Sequence, residues 1–217
     1  LESVKLAPHH SAWDRIGGLV SEEGSAPHPH LLHLLTAAAH PRDLSDAVHA
    51  LCAVHGSHPG MVDEAHQRCV QPDACDWLAA AAAGFSDERG LIAQLTAAAG
   101  PLPSTPGQAE SEAALAGVRH AIEMLARSDR GGTATGAAAA LIADWVEIRH
   151  LLARCATAFA IEVQPTTLPS LVATQGAVTH LADSPSVERA MTFGARQLLA
   201  QHRGLWDLLE ARRAARG

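Results

Sequence analysis

The sequence predicts an all-α fold, a multi-helix bundle of roughly eight or nine helices, on three observations. Apolar residues make up 47% of the chain and are mostly Ala and Leu, aromatics are 3%, and Tyr is absent. Ala and Leu lose little side-chain freedom in a helix, whereas strands draw on β-branched and aromatic residues. Through most of the chain the apolar positions recur at spacings of three and four, the period of an amphipathic helix. Pro, Gly, Ser and Asp fall where those runs begin and end, as helix caps and breakers do.

Each element follows from its own residues. Trp13, Ile16, Leu19 and Val20 are spaced for one short helix, weakened by Gly17 and Gly18. A second helix is expected over 29–39, with Leu31, Leu35 and Ala38 inward and His33 and His40 solvated. Asp43 is the expected N-cap of the next, which runs to His55 on Leu44, Val48, Leu51 and His55 and ends at Gly56. Another follows Pro59 and Gly60 and stops before Pro72, with Met61, Ala65 and Cys69 inward. Asp73 caps a helix through the AAAAAG run, and Ser86 caps a separate one to Ala99.

The segment GPLPSTPGQ, residues 100–108, is the clearest linker, because its three prolines cannot continue a helix. Beyond it come a helix over 109–128, a long apolar helix over about 135–162, a weaker one over 168–182 and a final long one over 184–214. The long apolar helix carries Leu141, Trp145, Ile148, Leu152, Cys155 and Phe159 and is expected at the centre. One domain is expected over 1–217, in which the linker joins a helical N-terminal half (residues 1–99) to a helical C-terminal half (residues 109–217).

Composition also excludes partners. A net charge of -7 supplies no attraction to nucleic acid or to anionic membranes, and neither is expected. No apolar run approaches the length of a membrane span. The four cysteines, Cys52, Cys69, Cys75 and Cys155, are too few for a disulfide scaffold, so free thiols and a cytoplasmic location are the expectation. Because the sequence opens with Leu1 rather than Met, export remains open.

Possible ligands cluster in one stretch, His40 to Cys75, where Asp-x-x-His-x-x-Cys occurs twice, as Asp46, His49, Cys52 and as Asp63, His66, Cys69. An antiparallel helical hairpin about Ser57 and His58 would bring His49 level with His66 and Cys52 level with Asp63. Zinc or another divalent metal accepts such a His, Cys and Asp set in tetrahedral geometry, so His49, His66, Cys52 and Asp63 are the candidate ligands. The plainer reading is helix packing with an acidic first turn and small buried thiols. A second group, His55, His202, Asp144 and Arg149, places polar side chains inside apolar arcs. Buried polar groups need partners, so these four mark an internal network or a ligand pocket.

Other motifs point away from chemistry. Glu147 with His150, and His120 with Glu123, resemble the carboxylate and histidine ligands of di-iron four-helix bundles, but the helical wheel turns all four away from the apolar stripes. Glu123 and Arg127 are then an expected surface pair. No nucleophile elbow and no phosphate-binding glycine loop is present.

The run HPRDLSDAVHALCAVHGSHPG, with the Trp-containing long helix further on, resembles an uncharacterised all-helical family of alphaproteobacteria, a domain of unknown function. The resemblance extends over most of the chain and implies no activity, cofactor or catalytic residue. Two functions are therefore expected. One is a binding or interaction protein without catalysis, with a homodimer through the Ala-rich helices as one form. The other is a metal- or small-ligand-dependent enzyme with a His/Cys/Asp site between helices.

Overall fold

The structure is a computed structural model that describes residues 11–216, so the first ten residues and Gly217 of the expected 1–217 domain lie outside the described residues. Among the described residues the chain forms nine α-helices and no strand: α1 (Ala12–Glu23), α2 (Pro29–Leu35), α3 (Pro41–His55), α4 (Met61–Arg68), α5 (Cys75–Ala99), α6 (Gln108–Ala126), α7 (Thr133–Phe159), α8 (Leu171–Leu181) and α9 (Pro185–Ala215). None of them is long and apolar enough to cross a membrane.

Local chemistry explains most of the boundaries. Ser11 and Asp14 form a reciprocal capping box that starts α1, satisfying two backbone donors that a helix N-terminus leaves open. Two histidines do the same work ahead of prolines: His28 Nδ1 accepts from His30 N before α2, and His40 Nδ1 accepts from Arg42 N before α3. The expected cap of α3, Asp43, instead lies inside the helix and is buried. Thr36 ends α2 at Leu35, leaving Ala38 exposed rather than inward. Where two helices were expected across 73–99, α5 is continuous, because Ser86 stays in helical geometry and Gly84 lies against the Leu168 backbone.

Every helix contributes to one contiguous apolar core. At its centre α7 and α9 cross at close range. A Cβ added at Gly136 would collide with the Met191 backbone, and one at Gly194 with the Thr133 carbonyl. Ala137 to Ala140 are fully buried in the same core. Helices α3 and α4 each pack on α5 rather than on one another.

Outside the core the charged faces point outward, as the helical wheel has them. Glu147 and His150 form a surface pair at 3.2 Å on α7. Glu123 pairs with Arg119 at 3.5 Å, while Arg127 reaches across to Glu64 on α4 with contacts of 2.5 and 2.6 Å, so the expected Glu123 to Arg127 pair gives way to an interhelical one. Cys69 departs from expectation more sharply. It sits past the end of α4 at a left-handed φ of 40° and is joined to Cys75 at the start of α5, whereas Cys52 and Cys155 are free.

Replacing Gly136 by Ala should destabilise the protein by about 1–3 kcal/mol or more, because backbone and not a flexible side chain stands in the way. Urea denaturation of Gly136→Ala beside Gly204→Ala, which has open space around it, checks this.

Candidate functional site

Two buried carboxylates organise the interior. Asp144 on α7 accepts from Ser25 N at 2.6 Å, from Ser25 Oγ at 2.5 Å and from His202 Nδ1 at 2.6 Å. Trp206 Nε1 donates to the same serine hydroxyl at 2.8 Å. Burial works to raise the Asp144 pKa, but the His202 hydrogen bond and charge and the two Ser25 hydrogen bonds outweigh it and hold the carboxyl below its ordinary value. Glu88 on α5 is equally buried; it accepts from Trp145 Nε1 at 3.1 Å, from Thr166 Oγ1 at 2.7 Å and from Arg149. Asp144 and Arg149 thus find separate partners on other elements.

His55 lies between the two carboxylate centres. Its ring meets Trp145 and His202 edge-on, each at a centroid separation of 5.1 Å. The structure therefore joins His55, His202, Asp144 and Arg149 through one interior region. Asp144, His202 and Ser25 have the residue types of a catalytic triad with the wrong connectivity: the serine hydroxyl donates to the aspartate and not to the imidazole. His202 and Asp144 are 1% and 0% exposed. His55 Nε2 and His202 Nε2 are buried without a hydrogen-bond partner among the described residues.

The four residues expected to share a metal are not brought together. His49 Nε2 donates to the Gly100 carbonyl at 2.9 Å. Asp63 turns to Arg89, with contacts of 2.8 and 3.2 Å, and also accepts from Gly60 N. His66 is half-buried in the last turn of α4. The hairpin levels fail because α3 and α4 each use α5 as their neighbour. Among the described residues, a group whose ligand atoms do lie within 4.8 Å of one another is His28, Asp207 and Glu210. There His28 Nδ1 is engaged as the α2 cap and Nε2 lies 3.0 Å from Asp207 Oδ1. With Nδ1 accepting, the ring proton is on Nε2 and is donated to the aspartate, so the ring itself offers no lone pair to a cation in this arrangement. This group braces the start of α2 against α9.

His49 and Cys52 instead share the wall of an open cavity of about 290 Å³ between α3, the end of α5, the 100–107 linker, α6 and the end of α9. Ala50, Ala53, Leu102 and Leu115 supply apolar walls. Several of its polar lining groups already have partners: Gln108 accepts from Arg212 at 3.0 Å and donates to Glu112 at 2.8 Å, and Ser111 donates to the Gly107 carbonyl at 2.9 Å. Asp46, in the floor, is held by Arg212 with contacts of 2.8 to 3.0 Å and by Arg216 at 2.7 Å. Both arginines also donate to Thr105 Oγ1, which fixes the linker against α9. Arg216 completes the cluster by binding Asp43 at 2.7 Å.

Sequence reading located His49, Cys52 and the buried polar residues but missed Asp46, Arg212 and Arg216 as one cluster. A basic end of α9 reads equally well as a favourable helix terminus. A family model for a family of unknown function matches residues 20–217. No curated protein and no solved structure matches the chain.

Two outcomes test these assignments. Burial holds the His55 pKa well below 6.5, with His202 adding to it, and lowers His30 to about 4, where Arg213 adds to it. The unfolded chain thus binds protons on both rings at a pH where the folded chain does not, and acid favours unfolding. The melting temperature should be flat above about pH 6.5 and fall steadily towards about pH 4, and His55→Gln should shallow that fall. Arg212→Met, which strips a buried aspartate of one of its two cations, should destabilise by about 3–5 kcal/mol in urea denaturation, while the exposed Arg213→Met should barely move the midpoint.

Proposed function

The chain belongs to that family, DUF6975, matched over residues 20–217, and we propose that it binds a small, uncharged, apolar molecule rather than catalysing a reaction. The observation that supports this reading is the cavity beside His49 and Cys52. Its apolar walls offer burial, and several of its polar lining groups are hydrogen-bonded inside the protein, so a ligand gains by displacing water from carbon surface and not by matching charge. The buried Asp144 to His202 pair supports binding over catalysis, since it braces helices out of reach of solvent.

Cys52 is the one free thiol on the cavity wall. Cys155 is buried, with burial pushing its thiol up to about 12. The reading in which a divalent metal or small ligand serves an enzyme keeps His49 and Cys52, which line the same wall, and loses Asp63 to Arg89. Stoichiometric zinc in protein purified without a histidine tag would favour that second reading.

The neutral fluorophore 1-aminoanthracene should bind the native chain one-to-one with enhanced emission and slow the alkylation of Cys52. Ala53→Trp, placed at the exposed mouth, should abolish both effects and leave the melting temperature unchanged. Equal binding by the native chain and Ala53→Trp, or unprotected Cys52 in the native complex, would reject the proposal.

A further inference from the structure

A second cavity, of about 520 Å³, lies on the other side of the linker, between the first two turns of α3, the end of α5, residues 101–104 and the end of α7. Its lining differs in kind. Arg42 is exposed and has no carboxylate partner among the described residues, its backbone N–H being the atom that His40 caps. The nearby acids are already taken: Asp43 by Arg216, and Asp46 by Arg212 and Arg216.

Ser45 lines the same cavity one turn further along α3. It is 6% exposed, and its hydroxyl has no hydrogen-bond partner. A helical serine ordinarily satisfies its hydroxyl by donating back to the carbonyl four residues earlier, as Ser111 does to Gly107; Ser45 does not. Leaving a buried hydroxyl unpaired is unfavourable unless something else accepts from it. Opposite these two groups stand Leu102, Pro101, Pro103 and the half-buried Phe159.

We propose that this cavity binds a small carboxylate with an apolar body: the Arg42 guanidinium and the Ser45 hydroxyl hold the carboxylate, and Phe159 and Leu102 cover the apolar portion. The geometry asks for an acceptor, because a guanidinium can only donate, the unpaired Ser45 hydroxyl can donate beside it, and a guanidinium fork matches two carboxylate oxygens. It asks for an apolar body because Pro101, Leu102, Pro103 and Phe159 stand opposite, with Ser104 the one side-chain hydroxyl among the facing residues. The chemistry is thus complementary to that of the cavity beside Cys52, where several polar groups are already satisfied and a neutral ligand fits. The two sites stand or fall separately.

Phenylacetate serves as probe, with 2-phenylethanol as a neutral molecule of similar body, in amide-shift titrations of the full chain. Phenylacetate should saturate at millimolar concentration, shifting the amides of Ser45, Leu102 and Phe159, and should weaken as salt is raised. The alcohol should bind at least roughly tenfold more weakly, as expected for loss of a charge-assisted hydrogen bond. Arg42→Gln should weaken phenylacetate by a similar roughly tenfold factor, Arg42→Lys should recover some of it, and Ser45→Ala should weaken it less. Ala53→Trp should have no effect. Equal affinity of Arg42→Gln and the native chain, equal affinity of acid and alcohol, or shifts confined to Cys52 and its neighbours would overturn the proposal. Arg42 is exposed, so loss of binding in its variants is not loss of the fold.

Discussion

The arrangement of this bundle depends on one buried charge. A carboxylate at the position of Asp144, with no solvent contact, is tolerated only when donors surround it, and the three that do come from the loop after α1 and from α9. Those bonds tie three separate regions of the chain at one point. They are reachable because α7 and α9 approach so closely at Gly136 and Gly194. The close crossing and the Asp144 to His202 bond are thus two aspects of one contact, the first made by removing side chains and the second by adding matched ones.

The same logic recurs at two more places. Glu88 gathers donors from α7 and from the segment before α8, and Asp46 gathers two arginines from the end of α9. Each carboxylate is a junction where sequence-distant elements must meet to satisfy it. A buried cluster of this kind is weak evidence of net stability, because desolvation opposes the attraction, but it strongly disfavours arrangements in which one partner is missing. Through Thr105 the Asp46 cluster also fixes the linker, turning what would be a loose strap into the shared wall of two cavities. Function, on this reading, is a consequence of that fixed linker. On one side Asp46, Gln108 and Ser111 are hydrogen-bonded within the protein; on the other the Ser45 hydroxyl has no partner and Arg42 no carboxylate among the described residues.

Much was legible in the residues, and the failures have physical causes. The linker is visible because proline forbids a helix, and the outward direction of Glu147 and His150 follows from the helical period alone. The hairpin levels of His49 and His66 were not obtainable that way. Counting from a turn assumes that consecutive helices are neighbours, whereas α3 and α4 both chose α5. Cys69 and Cys75 likewise could not be paired from their spacing, since their meeting depends on the left-handed turn at Cys69 that ends α4. Ser86 failed as a cap because a serine starts a helix only where the chain has already stopped being one.

By itself the sequence determined most of the helices, most of their apolar faces and the need of His55, His202, Asp144 and Arg149 for partners, because these follow from local periodicity and the energetics of burial. Only the tertiary structure decided who those partners are, that His49 faces Gly100, and that the end of α9 closes over Asp46. The reason is one of range. Backbone geometry and side-chain periodicity act over a few residues, whereas Ser25 finds Asp144 119 residues away and Asp46 finds Arg212 across 166, contacts that only packing can select among the many acids and bases available.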